Sequence, residues 1–415
     1  MHTICIPGLP PVDGSAFGRV IDHELFQRLR ERKQLGLNAI VFPGAVHTRM
    51  EHALGVLSLT QRFCQLHPVP QEAALRMQLF ALLHDIGHGP FSHQVEPVLP
   101  GNHHENGLRL LEQMEPLLRD CYGITLEELR DFYSEKECWA RYVSDRNLGT
   151  DKLDYLSRDA LHIGFHGTPD IRQIQCATVL TAEGPAIEEK FLEDGKMLQK
   201  FYSYLHQHGY LNKTALSAQR MLQRAMQELL LLKDCPSAER IWEMGDEELM
   251  LLLRTCGSPL AVRLANALRN RCLHKSFLVL KPTGYGYVER QAGKPICILE
   301  RPRSELRAFC EKVQDLEKLR ELEDRIAALC GLAPGEILFA AMPYFKKLLP
   351  RDLRVFASNH PDETYSLFEK DADHRRTLES DYLRTFAVRL VSPEVHRAKL
   401  AKNADAILSE LLCSP

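Results

Sequence analysis

Eight of the 18 histidines of this 415-residue chain fall between His47 and His104. Even scatter would place about two or three there. The surrounding residues repeat apolar side chains at helical spacing. His52, Val56, Leu59 and Phe63 share one face of a helix expected over 50–66, and Met77, Phe80, Ala81 and His84 align on another expected over 71–84. Histidines embedded in apolar faces constrain the chain to a helical core with a polar cluster inside it. Gly87 and Gly89-Pro90 stop the second helix just after His84-Asp85.

His84 and Asp85 offer one neutral nitrogen and one anionic oxygen from a single helix end, a mixture that suits a divalent metal. A third helix, expected over 151–163, carries Asp151, Tyr155, Arg158, Asp159 and His162 on one face. That face is too polar for core. It is either solvated, with Asp154 and Arg158 as an i,i+4 pair, or it lines a cavity. His52, His84, Asp85 and Asp151 together make a two-His, two-Asp set that leaves positions for water and substrate.

Further helices are expected over 25–35, 104–118, 126–132, 195–210, 214–232, 246–255 and 259–270. After about residue 275 the pattern turns to short strand-like runs at 276–280, 296–299, 337–341, 353–357, 365–368 and 386–391. Helical stretches are expected there at 304–329, 377–383 and 393–412. The expected fold is mainly α, with residues 1–275 as a helical catalytic domain (metal site within 47–165) and 276–415 as a smaller α+β lobe. The net charge of −3 speaks against a protein that coats nucleic acid or an anionic membrane. The 12 cysteines include no C-x-x-C pair, which excludes zinc fingers and thioredoxin motifs. With no basic-led apolar leader in residues 1–30, a cytoplasmic location with reduced thiols is expected.

The linked segments Arg49-Met-Glu-His52, His84-Asp-Ile-Gly-His-Gly-Pro-Phe-Ser-His93, His104-Glu105 and Asp151-Lys-Leu-Asp-Tyr155-Leu-Ser-Arg-Asp159 resemble the HD-domain superfamily. Within it they are most similar to deoxynucleoside triphosphate triphosphohydrolases of the sterile-alpha-motif/HD-domain type, with no sterile-alpha-motif domain expected within residues 1–20 ahead of them. The likeness is strong over 20–165 and faint beyond about 275.

The resemblance implies a mainly α HD-domain core and hydrolysis of a dNTP to deoxynucleoside and inorganic triphosphate, for dNTP pool control or depletion against phage. It implies that His52, His84, Asp85 and Asp151 bind the divalent metal (Fe, Mn, Mg, Zn or Co). His88 and His104 would be catalytic histidines oriented by Glu96 and Glu105, with His93 as general acid. The family usually has Asp where Glu96 stands. His47 and His103 read as structural.

Arg49, Lys152 and Lys213 would grip phosphate, and Gln34 and Asp159 the sugar 3′-hydroxyl. Tyr155 would stack under the sugar and exclude a 2′-hydroxyl, and Tyr210 would lie beside the base. Tyr202 and Asn212 depart from the family pattern. Asp22, Gln27, Arg30, Arg271 and Lys275 match a regulatory nucleotide site at a subunit junction, which implies a dimer or tetramer controlled by a nucleotide effector. Two other readings fit the same four ligands: a phosphatase or phosphodiesterase for nucleoside monophosphates, cyclic nucleotides or alarmones, and a catalytically weak nucleotide sensor.

Overall fold

The computed structural model describes residues 3–134, 138–285, 293–341 and 349–413. The fold is mainly α, a helical core accompanied by smaller sheet-containing parts. The chain divides into two compact units. The first comprises Met1–Leu205, Ala238–Asp246 and Pro350–Arg376; the second comprises His206–Ser237, Glu247–Leu349 and Thr377–Pro415. This packing differs from a split at 275/276, since Lys275 and Ser276 lie in one strand of the second unit.

Four helices of the first unit position the histidines: α1 (Arg49–Leu66), α2 (Gln71–Leu83), α3 (His103–Tyr122) and α4 (Thr150–Ile163). α1 starts at the N-cap Thr48, whose Oγ1 accepts the Glu51 amide. Its apolar face joins those of α2 and α3 in one core that includes Leu54, Val56, Leu57, Phe80, Leu83, Leu111 and Met114. The end of α2 is held by Tyr133, whose hydroxyl donates to the Leu83 carbonyl at 2.7 Å. That satisfies a carbonyl the helix itself leaves open. α3 begins at Asn102, whose side chain accepts the Glu105 amide, and it ends on left-handed Gly123.

Two glycines set the spacing. A Cβ on Gly55 of α1 would collide with the side chains of Asp154 and Arg158 on α4. A Cβ on Gly87 would collide with the His103 carbonyl and Gly107 of α3. Each absence of a side chain lets the backbones approach closely.

Some expectations are corrected. Residues 25–35 form only a short turn of helix and a 3-10 segment, Glu24–Gln27 and Arg28–Glu31, and are not one amphipathic helix. The first unit contains an unexpected four-stranded sheet. Thr178–Thr181 pairs with Gly184–Glu188, which runs parallel to Arg354–Ala357, itself paired with His360–Ser366. The 353–357 run therefore belongs to the first unit, and of the expected strand at 365–368 the first two residues close the strand His360–Ser366 while the last two open the helix Leu367–Lys370. In the second unit the order is Cys297–Arg301, Lys275–Pro282, Val388–Ser392, Leu338–Ala341. The stretch 304–329 is two helices, Arg303–Lys312 and Leu316–Leu329. Among the described residues, no helix is long and apolar enough to cross a membrane.

Candidate metal centre and its surroundings

His52 of α1, His84 and Asp85 at the end of α2, and Asp151 in the first turn of α4 converge. His52 Nε2 lies 3.1 Å from Asp151 Oδ1 and 3.7 Å from Asp85 Oδ2. His84 Nε2 lies 3.6 Å from both Asp85 Oδ1 and Asp151 Oδ1. His52, His84 and Asp85 present ligand atoms within 4.8 Å of one another.

The other ring nitrogens decide which atoms face this point. His52 Nδ1 donates to Asp154 Oδ2 at 2.8 Å, and His84 Nδ1 donates to the Ala81 carbonyl at 2.9 Å. Each hydrogen bond places the ring proton on Nδ1 and turns the Nε2 lone pair toward the carboxylates. Two lone pairs and two carboxylates facing one point repel unless positive charge lies between them. His84 Nε2 is buried with no hydrogen-bond partner.

The protonation pattern answers the same demand. Burial alone lowers the pKa of His52, but the hydrogen bonds to Asp151 and Asp154 overcome it and raise it to about 10. His84 is also raised, Asp85 outweighing burial. Asp85 and Asp151 are both held low against burial, Asp85 chiefly by Arg49 and His84, Asp151 by His52 and His84. Without a metal, a proton takes the place of the cation. The donor set therefore fits a divalent ion. Asp151 keeps 34% of its side chain exposed, which leaves one side of the point open to solvent.

Asp154 is a supporting residue whose link to His52 the sequence did not reveal. It receives two bonds from Arg158, at 2.8 and 2.9 Å, and Arg158 also reaches Glu51 at 2.9 Å. His162 binds the same Glu51 oxygen at 2.9 Å. The i,i+4 pair is therefore buried behind the metal centre instead of solvated on the surface.

Arg49 donates to Asp85 and, through Nε, to Ser92 Oγ at 2.7 Å. Ser92 donates onward to the Lys33 carbonyl at 3.1 Å. Phe91 and Ser92 both have positive φ, 53° and 52°. Neither is glycine, so this turn is strained. Asp246, buried and far away in sequence, accepts the amides of Phe91 at 2.7 Å and Lys33 at 3.0 Å and so ties the turn down.

The second histidine layer differs from expectation. Glu96 does not serve His88. Its two oxygens accept from His93 Nδ1 at 2.9 Å and His103 Nδ1 at 2.8 Å. His103, expected to be a bystander, stacks on His88 with centroids 4.2 Å apart at 10°. Burial raises the Glu96 pKa, yet the bonds from His103 and His93 hold it well low. His88 is buried with Nε2 3.3 Å from Asp85 Oδ1; burial and Arg49 hold its pKa low. His104 is exposed and packs on the His103 ring at 4.1 Å. Glu105 is exposed, and no hydrogen bond joins it to His104.

The other expected residues are distributed as follows. Lys152 Nζ lies 2.9 Å from the Tyr202 ring centroid and 5.1 Å from that of Tyr155, so Tyr202 is a cation–π partner. Burial lowers the Lys152 pKa and raises that of Tyr155. Asp159 Oδ1 accepts from His47 Nε2 at 2.7 Å. The Gln34 backbone N–H donates to the His47 carbonyl at 3.0 Å, and the side-chain Oε1 is buried without a partner. Asp22 and Arg30 are exposed, and Gln27 donates to the Ile21 carbonyl at 2.6 Å. The remaining four belong to the second unit. There Tyr210 packs edge-on to His206 and Lys213 opens the helix Lys213–Leu230. Arg271 is exposed with φ 55°, and Lys275 pairs with Glu394 at 2.9 Å.

Residues 49–159 match the family model for the HD domain. The chain is 30% identical over 261 residues to the deoxynucleoside triphosphate triphosphohydrolase SAMHD1 of Gallus gallus, covering 51% of this chain and 42% of that one. It is 31% identical over 236 residues to the SAMHD1 homolog of Dictyostelium discoideum, covering 50% and 45%. The chain thus spans under half the length of these curated relatives. A crystal structure of a phosphohydrolase from Bacteroides thetaiotaomicron shares the fold at a TM-score of 0.70 and 20% identity, over 95% of this chain and all of that one.

Proposed function

We propose that this chain, which is similar to HD-domain proteins over residues 49–159, is a divalent-cation-dependent phosphohydrolase that converts dNTPs to deoxynucleoside and triphosphate. The observation that carries the reading is the buried, unpartnered Nε2 of His84, aimed with His52 at two carboxylates. A cation held by His52, His84, Asp85 and Asp151 supplies positive charge beside a phosphoryl oxygen and lowers the pKa of water.

The chain's own residues do the rest. Asp154 and the Ala81 carbonyl orient the two histidine ligands. Arg49 and Lys152 bind phosphate oxygens, Arg49 exchanging its bond to Asp85 for one to substrate. His93 donates a proton from Nε2 to the leaving 5′-oxygen while Glu96 holds its Nδ1–H. His88, beside Asp85, and His104 shape the water side of the site. Gln34 offers its free Oε1, and Asp159 its carboxylate, to the 3′-hydroxyl. The Tyr155 ring fills the place of a ribose 2′-hydroxyl.

Regulation is part of the same proposal. Asp22, Gln27, Arg30, Arg271 and Lys275 would bind an effector nucleotide at a junction of a homodimer or homotetramer, with residues 276–415 supporting assembly. Ligand bound only at such a junction favours the assembled form by mass action. The test is chromatography of reactions with each dNTP and NTP, run with Mn2+ for the native chain and Asp85→Ala, with mass followed by light scattering. Triphosphate from dNTPs only, lost in Asp85→Ala, is expected. Orthophosphate from other nucleotides would favour a different HD phosphatase, and no turnover would favour a sensor.

A further inference from the structure

The His88, His93, Glu96 and His103 cluster is distinct from the four ligands of the centre above. Each residue offers one ligand atom, and these atoms lie within 4.8 Å of one another. The Glu96 carboxylate sits between two imidazoles. His88 stacks on His103 and meets His93 edge-on at 4.6 Å. The His88 side chain is only 1% exposed, and its Nδ1 is buried with no hydrogen-bond partner. A buried, unsatisfied imidazole nitrogen costs free energy, so a site that employs it is favoured. At the other edge His93 is 64% exposed, which gives an ion an entry path.

We propose that these residues form a second cation site, selective for a borderline transition metal such as Zn2+ or Co2+. Three imidazoles and one carboxylate are the ligands of a tetrahedral site, and they disfavour Mg2+ and Ca2+, which take oxygen. Entry of the ion exchanges the two Nδ1–H···Glu96 bonds for metal bonds. The imidazole proton moves from Nδ1 to Nε2, so each ring stays neutral and no proton must be lost. An ion here takes Glu96 away from His93 Nδ1, so occupancy of this site and the proposed general-acid role of His93 exclude one another.

The test is Co2+ titration of the full chain after chelator treatment, followed by calorimetry and visible absorption. The native chain should bind two Co2+, one with strong tetrahedral bands. His103→Ala and His93→Ala should each weaken that event by at least about tenfold, since loss of a supporting contact alone costs 10–100-fold. The His93 variant changes a mostly exposed side chain and so keeps the fold. Asp151→Ala should lose the other event and keep this one, which separates the two centres. One Co2+ in the native chain, or two undiminished events in both histidine variants, overturns the proposal.

Discussion

Asp154 Oδ2 stands 2.8 Å from His52 Nδ1, behind the centre and away from its open side. The carboxylate never faces the cation point, yet it fixes which nitrogen of His52 does. Asp154→Asn keeps the shape and removes the charge. It should weaken Mn2+ binding by about 10–100-fold, the range for a lost supporting contact. Calorimetric titration of native and variant chains checks it; equal affinities would remove Asp154 from the account. Asp154→Ala also strands Arg158, and breaking a buried pair costs about 3–5 kcal/mol, readable by urea unfolding.

Gly55 allows that contact. Gly55→Ala would normally favour a helix, by about 1 kcal/mol. Here the new methyl meets Asp154 and Arg158. Net destabilisation of about 1–3 kcal/mol is expected, as for overpacked cores, together with weaker Mn2+ binding. A raised melting temperature would contradict the close α1–α4 approach.

Tyr155 lies on α4 one turn after Asp151 and one turn before Asp159, which accepts from His47. Tyr155→Ala should narrow the ratio of kcat/KM for dGTP over GTP by about tenfold or more, the scale of one lost steric discrimination in a pocket. Equal native rates on GTP and dGTP would end the deoxyribose reading.

His274 in the second unit supplies a pH prediction. Burial holds its pKa at about 4, against 6.5 in the unfolded chain, and its Nε2–H donates to the Gly335 carbonyl. The unfolded imidazole therefore takes a proton first, and acid favours unfolding. Stability should fall by up to about 1.4 kcal/mol per pH unit between pH 6.5 and 4. His274→Gln should flatten that slope in urea titrations; an unchanged slope would show that His274 does not set it.

Much of the centre was legible because its residues obey helix spacing. His52 lies on the buried face of α1, and His84-Asp85 precedes a Gly-Pro stop, so both positions follow from a period of 3.6. The Glu96 pairing was not legible. It depends on a turn at Phe91-Ser92 whose positive φ values no local propensity favours, and on Asp246, more than 150 residues away. His103 read as a bystander because its value lies in a stack on His88, made possible by Gly87 beneath α3. The hairpin Thr178–Thr181/Gly184–Glu188 was missed because its second strand opens with Gly184-Pro185, residues that usually mark a loop. Its pairing partner, Arg354–Ala357, arrives from the far end of the chain.

The central claim is water attack at the α-phosphate beside the His52/His84/Asp85/Asp151 centre. Hydrolysis of dGTP in H2-18O with Mn2+, analysed by mass spectrometry, tests it most directly. The account predicts 18O in inorganic triphosphate and unlabelled deoxyguanosine, with no product from Asp85→Ala. Label in orthophosphate, or in the 5′-oxygen of deoxyguanosine, would contradict it.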